Sequence, residues 1–227
     1  MSMRIAVTAD PEIPVPPILY GGIERIVDML VRELSQRGHE VTLFAHPEST
    51  CPVKHIAWPG GRARGKLDTL RNTITLAQHI VSGRFDIIHS FSRIAYLTPL
   101  LPLKLPKLMT YQREISPHTT VLANYLSRGT LEFSAISNWM LKPVHCVGSW
   151  HLVPNGVPLS HYDFCSKVAE DAPLIFLGRV EEIKGPHLAI EIAKQAGRRL
   201  VIAGNIPIEH QAWFDRHIAQ HIDNHQI

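Results

Sequence analysis

Short apolar runs alternate with amphipathic helical stretches along almost the whole chain, and this alternation restricts the fold more than any other feature. Residues 4–8 (RIAVT) form the kind of run that is buried on both faces of a parallel sheet. A loop with four prolines follows and ends at Gly21-Gly22. Ile23, Ile26, Val27, Leu30, Val31 and Leu34 then recur at helical spacing, and Gly38 supplies the stop. Residues 41–45 (VTLFA) return as a strand. A strand–helix–strand unit of this size places its two strands parallel.

The pattern continues downstream. Residues 53–57 predict a third strand, and 67–81 a helix on which Leu67, Leu70, Ile74 and Ala77 share one face. Residues 85–90 (FDIIHS) read as a strand with polar groups at its C-terminal end, and 108–111 as another, followed by a helix over 119–126. Residues 133–136 lead to Ser137, a candidate N-cap. Residues 151–153 run into Pro154-Asn155-Gly156, a turn signal. A polar, irregular segment over 158–173 reads as a linker. Beyond it come a strand at 174–177, a helix over 186–196, a strand at 200–203 and a helix over 210–220. The expected class is therefore α/β, with a Rossmann-like domain over residues 1–160 and the beginning of a second such domain over 161–227. One βαβ unit and a trailing helix fall short of the five or six strands of a doubly wound domain, so the second is expected to be incomplete.

Composition narrows the class of partner. A 227-residue chain with 45% hydrophobic and 19% charged residues can bury a sizeable core. The formal charge of +3 does not argue for nucleic acid, though it suits anionic phosphates. The densest basic stretch, Arg62, Arg64 and Lys66, lies among Gly60, Gly61 and Gly65. It reads as a solvated loop or, on the other reading, as a peripheral contact with an anionic membrane surface. Cys51, Cys146 and Cys165 are widely spaced and odd in number, which predicts reduced thiols in a cytoplasmic protein. No signal-peptide pattern is present, and the greasiest stretch, 97–109, is broken by Pro99, Pro102, Lys104, Pro106 and Lys107.

Two segments carry candidate chemistry. Tyr20-Gly21-Gly22-Ile23-Glu24 stands where a loop enters a helix, and free N–H groups there favour an anion; a plain turn explains the glycines equally well. The dinucleotide fingerprint G-x-G-x-x-G is absent after the first strand, and no acid ends the second, which weighs against a dehydrogenase. The second segment, Leu177-Gly178-Arg179-Val180-Glu181-Glu182-Ile183-Lys184-Gly185-Pro186, takes a buried strand through a cationic loop to a helix that opens on proline. Arg179 and Lys184 at the rim of a parallel sheet are suited to gripping a diphosphate. The competing reading pairs those charges with Glu181 and Glu182.

Gly21-Gly22 opening a helix, Phe85-Asp86-Ile87-Ile88-His89, Pro154-Asn155-Gly156-Val157 and Gly178-Arg179…Lys184-Gly185 occur in the order seen in family-4 glycosyltransferases, which the chain resembles along essentially its whole length. The resemblance implies a two-Rossmann (GT-B) architecture with an acceptor-side domain followed by a donor-side domain. It implies transfer of a sugar from a nucleoside-diphosphate sugar to an acceptor hydroxyl, with retention of configuration and without metal or cofactor. It assigns Arg179 and Lys184 to the donor diphosphate and Gly21 and Gly22 to the cleft; the acceptor could be a saccharide, a lipid-linked molecule or a small molecule. The chain departs from the family in two places. Where many members carry a cleft histidine it reads Thr110-Tyr111-Gln112, so Tyr111, Gln112 and, at another strand end, His89 are the candidates for that region. The family's paired donor-site glutamates, E-x7-E, also have no counterpart in the second domain, which predicts a chain that does not turn over alone. The rival readings are a non-catalytic fragment acting as a binding module and, third, another nucleotide-binding Rossmann protein. His217, His221 and His225 recur at helical spacing but lack the glutamate of a zinc hydrolase motif, so a solvated terminal helix is expected there and no metal.

Overall fold

A computed structural model describes residues 2–227 and divides into two compact units, one ending at Val157 and the other spanning Pro158–Ile227. The first unit is built on a parallel sheet of β1 (Arg4–Thr8), β2 (Glu40–Ala45), β3 (Lys54–Ala57), β4 (Ile87–Ser90), β5 (Lys107–Tyr111), β6 (Leu131–Ala135) and β7 (Trp150–Leu152). The spatial order is β3-β2-β1-β4-β5-β6-β7. Strand order thus reverses between β1 and β4, where Ile5 is in register with Val41 on one side and Ile87 on the other.

The continuous apolar runs make sense once both sheet faces are covered, since successive side chains point to opposite faces. Ile5, Val7, Val41 and Leu43 pack with Val27 and Val31 of α1 (Gly22–Gln36). Ala6, Phe44 and Ile88 join the other core, with Leu76 and Ile80 of α2 (Lys66–Ser82) and with Tyr96, Leu97 and Leu100 of a 3-10 segment, Ile94–Leu100. Sequence periodicity did not register that segment, because Pro99 interrupts it. Helices α3 (Pro117–Ser127) and α4 (Asn138–Leu141) follow β5 and β6.

One expectation is corrected. Of the face of α2 shared by Leu67, Leu70, Ile74 and Ala77, only Ala77 packs against the core; the other three turn to solvent, and Asn72, Leu76 and Ile80 are buried instead. The reason is hydrogen bonding. Asn72 is fully buried but satisfied: its Oδ1 accepts from the Gly60 N–H at 2.8 Å, and its Nδ2 donates to the Gly60 carbonyl at 3.0 Å and to the Tyr96 hydroxyl at 3.2 Å. A buried amide with its partners costs little, so the less greasy side of the helix can face inward.

The second unit holds β8 (Leu174–Leu177) and β9 (Leu200–Ala203), paired in parallel, with α5 (Pro186–Gln195) and α6 (Gln211–His217). Val180, Ile190, Ala193, Leu200 and Ile218 form its core, whereas Ile175, Leu177 and Val201 are exposed. Among the described residues no helix is long and apolar enough to cross a membrane.

Candidate functional site

In the first unit the carboxyl ends of β1, β4 and β5 open into a cavity of about 460 Å³ at the point where strand order reverses, the position at which open α/β sheets take ligands. Asp10 follows β1, Ser92 and Arg93 follow β4, Tyr111 ends β5 and Gln112 and Arg113 follow it; Ile23 of α1 and the Ala63-Arg64 loop also line the cavity. Asp10 is buried beneath an exposed Arg113, whose guanidinium lies 3.5 Å from Oδ2. Its Oδ1 has no hydrogen-bond partner among the described residues. Burial raises the Asp10 pKa; Arg113 opposes the shift and neighbouring Glu12 adds to it. Glu24, in the first turn of α1, is also buried, and burial raises its pKa too. The rim is held by hydrogen bonds: Glu12 accepts from the Ala63 N–H at 3.0 Å, and Arg93 donates to the Ala63 carbonyl at 2.5 Å. A pocket with a poorly satisfied carboxylate at its base and guanidiniums at its mouth is suited to a ligand rich in hydroxyl groups.

Gly21 and Gly22 differ. Gly21 is packed against the proline loop, and a Cβ there would stand 2.5 Å from the Pro17 Cβ and 3.0 Å from Glu24 Oε2. Gly22, the first residue of α1, has nothing within 4 Å of such a Cβ. The first glycine is thus required for packing, and the second leaves the helix start open.

Tyr111 and Gln112 both line the cavity, but each has a partner. The Tyr111 ring packs among Phe133 and Trp150, and its hydroxyl lies 3.4 Å from Thr120 Oγ1. The Gln112 amide donates to Asn155 Oδ1 at 2.9 Å and accepts from Asn155 Nδ2 at 2.7 Å, which ties the Pro154-Asn155-Gly156 turn to the end of β5. His89 is not among the cavity's lining residues. Its Nε2 lies 2.8 Å from Thr110 Oγ1, which in turn lies 2.6 Å from Ser134 Oγ, and burial lowers its pKa to about 4. It is a neutral ring in a polar ladder across β4, β5 and β6.

In the second unit β8 runs into Gly178 and Arg179, then a 3-10 turn, Glu182–Lys184, and Gly185 in the left-handed region (φ 73°) starts α5 with Pro186 at its first position. Arg179 lies 2.6 Å from the buried Glu181 carboxylate, whose other oxygen is 3.3 Å from His210 Nε2. The pairing weighed against a ligand role is therefore made with Glu181, and it holds the guanidinium at the sheet rim; Lys184 is exposed beyond it. Gly204, which sequence reasoning passed over, lets the two strand ends close: a Cβ there would overlap the Gly178 carbonyl oxygen. The terminal histidines do not share one helix. α6 stops at His217, which stacks on Trp213; His221 lies in a separate 3-10 turn, and the His225 N–H donates to Asp223.

Sequence reasoning also missed Asp10, Arg93 and Arg113 as lining residues. A signal was present for Asp10 and Arg113, since each stands two residues after a parallel strand, at the edge where ligands bind.

A parallel doubly wound unit followed by a second parallel strand–helix–strand unit is the order of elements found in the GT-B class of glycosyltransferase. A family profile described as Glycosyltransferase Family 4 matches residues 20–161, and the chain belongs to that family. Solved structures agree in fold. AviGT4, a glycosyltransferase involved in avilamycin A biosynthesis, superposes with a TM-score of 0.67 at 23% identity over 96% of this chain and 61% of its own. A glycosyltransferase from Rickettsia africae ESF-5 gives 0.67 at 16% identity over 98% of this chain and 65% of its own. HepE from Anabaena, solved with UDP-glucose, gives 0.62 at 13% identity over 98% and 66%. The chain therefore spans less than two thirds of the length of these relatives. No curated protein sequence matches it.

Proposed function

We propose that the chain carries the acceptor-side domain and the first part of the donor-side domain of a transferase that moves a sugar from a nucleoside-diphosphate sugar to an acceptor hydroxyl with retention of configuration, in the cytoplasm. The observation that carries this reading is the turn after β8, where a guanidinium fixed by Glu181 and an exposed ammonium flank the start of α5. Leaving-group charge grows on the diphosphate as the glycosidic bond breaks, and two cations placed for that charge stabilise the transition state more than the ground state. Glu181 keeps Arg179 in place before the donor arrives, so less is lost in ordering it. HepE, a fold relative, binds UDP-glucose, which supports a nucleotide sugar as donor. The Asp10–Arg113 pocket serves the acceptor in this reading: the unsatisfied carboxylate oxygen accepts from a hydroxyl, and Tyr111 and Gln112 shape the wall.

The second unit contains no E-x7-E pair, so the 227-residue polypeptide binds donor weakly and does not turn over by itself. Saturation-transfer NMR with UDP and GDP tests the diphosphate assignment. Binding should be weak and should fall further in Arg179→Ala and Lys184→Ala; unchanged signals in both variants would remove the assignment. Sugar transfer by the purified chain would overturn the statement about turnover.

A further inference from the structure

The turn that carries Arg179 and Lys184 is tied down twice. Within it, the Glu181 N–H donates to the Arg179 carbonyl and the Lys184 N–H to the Glu181 carbonyl, each at 3.0 Å, so Glu181 stands between the two cations along the turn. From outside it, the chain leaving β9 lies alongside. The Val180 N–H donates to the Asn205 carbonyl at 3.0 Å. A 3-10 turn, Ile208–His210, then closes with the His210 N–H on the Pro207 carbonyl at 2.8 Å and brings the imidazole up to Glu181.

The Glu181 residue is only 3% exposed. A carboxylate taken out of water needs cations or donors at both of its oxygens. One oxygen lies 2.6 Å from the Arg179 guanidinium, and the other lies 3.3 Å from His210 Nε2. The second contact joins the loop after β8 to the loop after β9. Arg179 therefore does not attend the whole of Glu181 alone. A guanidinium that must also meet a diphosphate divides its N–H groups between two anions, and the division is easier where another group attends the carboxylate. Less is also lost in ordering a side chain whose partner is itself held.

We propose that His210 is a positioning residue for the diphosphate site: it holds the Glu181 carboxylate in the orientation that presents the Arg179 guanidinium at the sheet rim. It acts through Glu181 and meets neither phosphate nor sugar. The proposal rests on the diphosphate reading of Arg179 and Lys184.

The test uses the full 227-residue chain labelled with 15N-arginine, in which the Arg179 Nε–H signal is the one lost from Arg179→Ala. His210→Ala should broaden that signal, speed its exchange with water and weaken UDP binding about three- to tenfold. His210→Leu fills the space without an N–H and should behave in the same way, which separates loss of the contact from loss of packing. His210→Gln keeps an N–H at similar reach and should restore both the signal and the affinity. Lys184→Ala should weaken UDP binding without moving the Arg179 signal, because it removes charge and leaves the positioning intact. An Arg179 signal indifferent to the alanine and leucine variants, or a glutamine variant no better than leucine, would overturn the role of His210 and leave the diphosphate assignment standing. UDP binding unchanged in Arg179→Ala would remove that assignment, and the role of His210 with it.

Discussion

Replacing Gly204 with alanine tests how the cationic turn is held. An added Cβ would overlap the Gly178 carbonyl oxygen and stand 2.7 Å from its carbon. Carbon–carbon contacts settle at about 3.5–4.0 Å, so the ends of β8 and β9 must part by about 1 Å. Two hydrogen bonds bracket the contact, Gly178 N–H to the Ala203 carbonyl and Val180 N–H to the Asn205 carbonyl, each 3.0 Å long. Lengthened by that amount, neither is a hydrogen bond. Losing both costs about 2–4 kcal/mol, at about 1 kcal/mol each plus part of the desolvation of the groups left unpaired. The loss falls on a unit with only two strands and a small core. Amide exchange followed by mass spectrometry reads it out segment by segment: peptides over 174–205 should lose protection by about 30- to 1000-fold, while those from the first unit stay unchanged. Unaltered exchange over 174–205 would refute the claim that this glycine closes the strand ends and positions Gly178 and Arg179.

Four further outcomes are expected. Gly21→Ala should lower the melting temperature of the first unit by disturbing the Pro17 loop, whereas Gly22→Ala, with open space around its Cβ, should leave it within about 0.5 kcal/mol of wild type; equal effects would show that the loop packing is misassigned. Asp10 has its pKa raised above 3.8 by burial, so the stability it contributes is complete below that value and is lost as pH rises through the higher native value. Asp10→Asn should accordingly compare best with wild type at pH 7 and lose that advantage towards pH 4 in thermal melts, and the reverse trend would mean that the Arg113 ion pair outweighs burial. Burial and the nearby Asp28 carboxylate push the Cys51 thiol up to about 12, and it donates to the Val15 carbonyl, while Cys146 and Cys165 are exposed; Ellman's reagent at pH 8 should titrate two thiols in the native chain and the third only on unfolding. Gln112→Ala removes both amide bonds to Asn155 and should cost about 1–2 kcal/mol, with faster amide exchange confined to residues 153–157.

The alternation of period-2 runs with period-3.6 stripes was enough to define an α/β chain with parallel strands, because local hydrophobic period reports which surfaces each element must bury. The runs at 4–8, 174–177 and 200–203 are strands to the residue, since each, after Arg4 in the first, is an unbroken apolar or β-branched run, and a glycine follows each of the last two. Other features depended on contacts made across long sequence separations. α2 is apolar on both sides, so periodicity alone could not say which side faces the sheet; Gly60 and Tyr96 decided it by satisfying Asn72. The cavity is assembled from the ends of three strands that lie about 80 and then about 20 residues apart in sequence, and only the order in which β1, β4 and β5 line up brings Asp10, Arg93 and Arg113 together. His89 stood at a strand end like the others, yet pairing of β4 with β5 set its ring against Thr110 and outside the cavity lining. Residue type and spacing determine which elements form; their neighbours in space decide which polar groups are left to meet a ligand.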